Sequence, residues 1–425
     1  MNSRFKKYII FWLSQSVSQL GSAMTGFALI LWAYTKSNSA LTVSLMSFCN
    51  YVPYIIVSLF AGSFVDSHSK KKIMLASDTA AAVCSVGVFL LYLGDGLQIW
   101  HIYLVNGIIG FMNAFQSPAS AVAIGRIVPK EKLANVSGMN SFSGNLISVL
   151  TPVLAAFLFA LKGLRLILII DLCSFVLAFL VLLFVISVPE TENGTTERKS
   201  VFAGCRDGFS FLLQNRGIFV VMLTMALINF FSRLTYENIL SPMILSRSGN
   251  DSTVLGIVNA VMGLGGIVGG IIVSAGKLSK DNVKMIYISA AISFLLGDLL
   301  MGIGQSPFMW AVAGLAASLP IPFINAGQNV ILYKKVPDEM QGRVFAVRNA
   351  IQYSTIPVGI LLGGFLADYV FEPYMMTDSP VASFLHILVG EGAGSGMAVM
   401  FLCTGICGSL FSYLSYRRKE IQALR

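Results

Sequence analysis

The chain has 425 residues, of which 56% are hydrophobic and only 12% are charged, against roughly 25% charged in a soluble globular domain. Those fractions exclude a disulfide-stapled secreted scaffold, a disordered tail and an ordinary soluble enzyme. The net charge of +9 does not point to nucleic acid, because the basic residues cluster briefly between apolar runs, as juxtamembrane Lys and Arg do.

A spanning helix takes about 20 residues, so twelve would use about 240, which matches the hydrophobic count. In chain order the apolar runs fall at 8–34, 41–65, 73–94, 99–123, 137–161, 164–188, 217–245, 253–276, 285–304, 307–333, 348–371 and 394–416. The first is too long for a signal-peptide core and leads into another span rather than a cleavage site. The longest polar stretch, Pro189 to Gly217, reads as a linker. The expected organisation is a six-helix bundle over 1–188, a cytoplasmic linker over 189–216 and a second bundle over 217–425. Phe371 to Gly396 joins the last two spans.

With the N-terminus placed in the cytoplasm, 24 Lys and Arg fall on that side and 4 on the other, with Arg233 inside a span. A miscounted helix would scramble such a split. The expected protein is therefore a multi-pass cell-membrane protein with both termini cytoplasmic. Val128-Pro129-Lys130-Glu131 after the fourth span and Val336-Pro337-Asp338-Glu339 after the tenth lie 208 residues apart, which reads as a duplicated half.

The turn after the second span holds Gly62, Asp66 and the triplet Lys70, Lys71, Lys72. The glycine permits close helix approach. The acid accepts hydrogen bonds from a helix N-terminus, and the lysines face the anionic cytoplasmic leaflet. This loop resembles the G-x-L-a-D-R-x-G-R-K turn of the major facilitator superfamily, with Ser67 and Ser69 in place of its arginine and second glycine. Thr151, Pro152, Ala155 and Ala156 in the fifth span resemble a degraded form of the G-P-x-x-G-G that exporters of that family carry. Further likeness to its macrolide-efflux and enterobactin-exporter-like branch lies in Phe11-Trp-Leu-Ser-Gln15, Gln116-Ser-Pro118-Ala119, Val336 through Gly342 and Arg343, and the stretch from Phe371-Glu-Pro373 to Gly394.

The resemblance implies an all-α integral membrane protein with twelve helices in two pseudo-symmetric six-helix bundles. The implied work is export of an amphipathic small molecule across the bilayer in exchange for protons. Siderophore export, lysophospholipid carriage and import remain alternatives within the fold. Where many members place an arginine in the fourth span, this chain has Asn106 before Gly110, so that arginine's role does not carry over.

Ionisable groups at membrane depth are functional candidates. Arg233 and Glu237 lie four apart in the seventh span, where one helix face and mid-membrane depth are expected, and they read as a coupling pair or a structural ion pair. Asp298 in the ninth span is a further coupling candidate, or faces water near the outer surface. Asp78 is expected to partner basic loop residues, and Asp171 and Asp368 to serve helix ends or interfaces. Polar cavity candidates are Asn50, Tyr51, Asn113, Gln116, Asn325, Gln328 and Asn329. Gly276-Lys277 lacks the glycine and hydroxyl residue of a phosphate loop, so the expectation is no nucleotide, no metal, no other cofactor and a gradient as energy source. No catalytic set is legible, and oligomeric state is not read from the sequence.

Overall fold

The structure, a computed structural model, describes residues 3–128, 133–186, 209–274 and 281–425. Every regular element among them is helical. Ten stretches are long and apolar enough to cross a bilayer. One of these, Phe142–Val185, folds back on itself at Lys162 and Gly163 (φ 62°, ψ −158°), a backbone geometry open chiefly to glycine. Counting its two arms separately and adding the fourth span, Ile99–Ile127, gives twelve.

The first three spans are Ser3–Ser37, Ala40–Ser67 and Lys70–Leu93, and the fifth and sixth cover 133–161 and 164–185. The seventh to tenth are Arg216–Arg247, Ser252–Ser274, Asn282–Ile303 and Pro307–Lys335. The eleventh is Asp338–Leu366 with a π-helical end at Ala367–Phe371, and the twelfth is Ser395–Tyr416. Caps set several starts. Asp281 accepts from the Lys284 amide at 2.9 Å, and Ser306 accepts from Met309 at 3.3 Å with Pro307 in the first turn, satisfying amides that have no partner inside the helix.

The chain divides into two compact units: Met1–Asn38 with Leu45–Thr195, and Ser39–Ser44 with Thr196–Arg425. Unit 1 is held by buried side chains such as Tyr8, Phe11, Met74 and Leu182, and by a second cluster around Leu29, Ile102, Leu164 and Leu168. Its second and fourth spans touch backbone to backbone at Gly110, where a Cβ would lie 2.0 Å from the Asn50 carbonyl oxygen. Asn106, standing at the family's arginine position, donates to the Ile102 carbonyl at 2.9 Å. In unit 2 Val221, Ile286, Tyr287 and Phe294 form the main core. In the same unit Asp368 accepts from Ser39 Oγ and from the Ala40 and Leu41 amides at 2.6–3.0 Å, capping that short segment.

The loop from the eleventh to the twelfth span holds two short helices, Glu372–Met375 and Pro380–Val389. Its glycines have a physical reason. Glu372 accepts from the Gly394 and Met397 amides at 3.2 and 2.9 Å, capping the twelfth span from the end of the eleventh. Gly392 and Gly394 have φ of 93° and 86°, and a Cβ on Gly396 would sit 2.4 Å from the Phe371–Glu372 backbone.

Two residues of the lysine triplet depart from expectation, while Lys72 is exposed. Lys70 is buried, and Lys71 Nζ donates to the Leu183 and Ile186 carbonyls at 2.8 and 2.7 Å. The carbonyls ending the sixth span have no intrahelical donor, so they attract this ammonium. Gly62, Asp66, Gly342 and Arg343 lie on helical backbone, but their side chains fall outside the described residues, as does the linker from 187 to 208.

Candidate functional site

In unit 2 the seventh span is not one helix. Residues Arg216–Thr235 and Leu240–Arg247 are helical, and Tyr236 to Ile239 form a turn between them. Pro242 supplies the cause: it has no N–H for the Asn238 carbonyl and its ring crowds that carbonyl. The expectation of one continuous helix face is thereby corrected. Arg233 closes the first helix, Glu237 stands in the break, and they still form an ion pair through Nη1 and Oε2. Their side chains are 33% and 24% exposed, so the pair is sheltered but not sealed.

Tyr236, one residue before Glu237, turns the other way. Its hydroxyl is buried and faces Asp298, and its ring packs edge-on against Phe401, with centroids 5.2 Å apart. Asp298 is 1% exposed and accepts from Thr404 Oγ1 at 2.7 Å. It therefore does not face water at the outer surface. It ends a π-helical turn, Ser293–Asp298, in the ninth span, an irregularity often found at functional positions. Two carboxylates thus flank one turn: Glu237 with an arginine, Asp298 with hydroxyls.

The eleventh span clamps that turn. A Cβ on Gly359 would lie 3.1 Å from Arg233 Cβ, and one on Gly363 would lie 2.3 Å from the Leu234 carbonyl oxygen. The pair makes a G-x-x-x-G seam. Asn238 is fully buried, donating to the Ile360 carbonyl at 2.8 Å and to Ser44 Oγ. This seam and the broken helix are the features the sequence reading missed. Pro242 and the Gly359–Gly363 spacing were the available signals.

Unit 1 carries its own polar centres. Asp78 in the third span accepts from Gln116 Nε2 of the fourth at 2.5 Å. Among the described residues no ion pair includes it, and the loop residues Lys130 and Lys132 expected as basic partners lie outside the described residues. Asp171 in the sixth span is 2% exposed and accepts from Ser22, Thr25 and Ser85 at 2.9–3.0 Å. Its donors come from the first and third spans, and Asp298 is joined by the seventh and twelfth. The two networks therefore use the same positions of the six-helix repeat, with the acid moved from the sixth to the third. Ser85 and Asp298 are 213 residues apart, near the loop repeat's offset.

Of the cavity candidates, Asn113, Asn325 and Asn329 are exposed, and Asn50, Tyr51 and Gln116 are half-buried. Asn329 accepts from Arg348 Nη1 at 2.9 Å. Gln328 is only 4% exposed and packs inside its unit, because its neighbour Gly327 brings the tenth span against Asn282 and Ile286 of the ninth. Thr151, Pro152, Ala155 and Ala156 are all buried, a packing strip of the fifth span. Among the described residues no three His, Cys, Asp or Glu side chains gather as a metal site.

The Major Facilitator Superfamily model matches residues 11–360. Macrolide efflux protein A of Streptococcus pyogenes is 27% identical over 375 residues, covering 87% of this chain and 91% of that protein. Its Enterococcus faecalis namesake is 26% identical over 328 residues, covering 76% of this chain and 99% of the other. Among solved structures, a bacterial homologue of the human lysosomal transporter Spinster, inward-facing and unoccupied, superposes with a TM-score of 0.68 at 14% identity, covering 100% of this chain and 99% of its own.

Proposed function

Because the chain belongs to the major facilitator superfamily and is a multi-pass membrane transporter rather than an enzyme, we propose that it exports an amphipathic, macrolide-type compound by alternating access in exchange for protons. The observation carrying the reading is the Arg233–Glu237 pair standing in the break of the seventh span. Discontinuous spans with charged groups at the break are where transporters of several folds bind substrate and coupling ion. A sheltered carboxylate holds either a proton or a cationic group, so taking up one releases the other. The names of the two efflux relatives support export over import.

Whole-cell accumulation of labelled macrolides, with siderophores and lysolipids alongside, tests this. Expression should lower macrolide accumulation several-fold, and a protonophore should restore it. Unchanged accumulation, or accumulation that rises with expression, removes macrolide export.

We propose that both termini are cytoplasmic, a reading that the distribution of basic loop residues supports. An impermeant thiol reagent on intact cells should label a cysteine placed at Asn250, on the outer side of the seventh span, and spare Cys205 in the linker. The opposite labelling inverts the topology.

A further inference from the structure

Pro380–Val389, the short helix between the eleventh and twelfth spans, has no part in the coupling site, and its sequence PVASFLHILV is apolar on almost every side. Its ten residues reach about 15 Å, well short of a bilayer core of about 30 Å. An apolar helix of this length either packs into a core or lies at the membrane surface. Only one of its faces is packed. Ala382 and Val389 are buried, and Leu385 and His386 are half-buried. The opposite face carries Val381, Phe384, Ile387 and Leu388, which are 38–77% exposed. At about 100° per residue these four fall within about 120° of arc. Four bulky apolar side chains gathered on one open face mark a contact surface rather than scattered exposure.

The surroundings identify what covers that face. The helix packs on the start of the twelfth span and on Leu299–Ile303, the last turn of the ninth. The ninth span exposes Ile292, Leu295, Leu296 and Ile303 along its length, as a crossing helix does toward hydrocarbon, and the open face continues that strip. The twelfth span is buried from Ser395 through Leu402 and exposed at Cys403, Ile406, Leu410 and Leu414 beyond. The short helix thus stands where lipid would otherwise meet the first turns of the twelfth. Both of its ends are tied down. Ser379 accepts from the Ala382 amide at 3.1 Å and donates to the Tyr374 hydroxyl at 3.3 Å. The Val389 carbonyl accepts from Arg247 Nη2, and a Cβ on Gly390 would lie 2.9 Å from that nitrogen. Exposed Asp378 and Glu391 flank the helix, and charges that favour water limit how deep it sinks. From Phe371 to Gly394 there is no Lys or Arg, so attachment rests on hydrocarbon and not on anionic headgroups.

We propose that Pro380–Val389 is an interfacial anchor: its Val381, Phe384, Ile387 and Leu388 face sinks among the acyl chains of the leaflet at that end of unit 2, with Asp378 and Glu391 left in water. Through Arg247 the anchor ties the last turn of the broken seventh span to the membrane surface. It does so whatever the cargo is.

The test uses the full chain in phosphatidylcholine nanodiscs, with one added tryptophan read as the difference from wild type, which has four. In Phe384→Trp, lipid brominated near the headgroup end of its acyl chains should quench most of the added emission. Lipid brominated at the chain ends should quench less, and iodide in the buffer little. Glu391→Trp should be quenched by iodide and spared by bromine. Replacing part of the lipid with phosphatidylglycerol should change neither result. If Phe384→Trp does not fold, Ile387→Trp reads the same face. Added emission at 384 that iodide quenches and bromine spares puts the face in water and overturns the anchor. Emission spared by both quenchers, with two copies per disc, puts a second chain on the face and overturns it as well. Stronger quenching from the chain ends overturns the surface placement, and bromine quenching that needs phosphatidylglycerol overturns attachment through hydrocarbon.

Discussion

Glu237→Gln, reconstituted in proteoliposomes, is expected to lose export driven by an imposed proton gradient by at least tenfold, while downhill exchange of the same substrate continues. Glutamine keeps the size and the acceptor oxygen of the side chain but takes up no proton, so a protein that couples through this carboxylate cannot exchange one cation for the other. Arg233→Ala should act differently. It removes the charge that competes with proton and substrate for the acid, so export should persist. A pair that only holds the turn in place gives another pattern. Each single replacement then leaves an uncompensated charge in a half-buried place, both lower the melting temperature, and a double neutral replacement restores it. Full, pH-insensitive export by Glu237→Gln would pass the coupling role to another carboxylate, Asp298 first.

Asp298→Leu should produce the largest loss of stability. The side chain is 1% exposed, bonded to Thr404 and faced by the Tyr236 hydroxyl. Leucine leaves the buried Tyr236 hydroxyl without an acceptor, at about 1–3 kcal/mol, while Thr404 keeps only the Phe401 carbonyl at 3.2 Å, and a melt in detergent should fall by several degrees. Asp298→Asn retains an acceptor and should melt close to wild type. The triple replacement Asp298→Leu, Thr404→Val, Tyr236→Phe removes every orphan together and should recover most of the loss, since apolar substitution of a whole buried polar set is often neutral. If Asp298→Leu melts like wild type, the network contributes nothing to folding.

The spans were legible because hydrocarbon imposes a length and a composition on any helix that crosses it. The described ends of most spans fall within a few residues of the apolar runs. The site was legible only as residue types. Arg233 and Glu237 were visible as charges at depth, but their spacing read as helix because Tyr236 to Ile239 contain neither Gly nor Pro. Pro242 acts on the turn before it, not on its own position. The π-helical turn before Asp298 leaves no compositional trace. The cradle of Asp171 depends on Ser22, Thr25 and Ser85 meeting from two other spans, which no local pattern reports. Gln328 misled for a related reason: a polar residue in a span is equally consistent with an open face and a packed one.

The seam at Gly359 and Gly363 has a mechanical meaning. Where two helices touch through side chains, rotamer changes absorb small displacements. Where they touch through bare backbone, as Gly363 does against the Leu234 carbonyl, no compliant layer intervenes, and the seventh span around Leu234 and the eleventh are expected to move as one stiff body. The eleventh ends at Glu372, whose carboxylate grips the first amides of the twelfth. Under the exchange proposed for Glu237, an ångström of movement there would be transmitted along the eleventh span like a push on a rod and delivered at the start of the twelfth, at the far end of that helix from the charge that caused it.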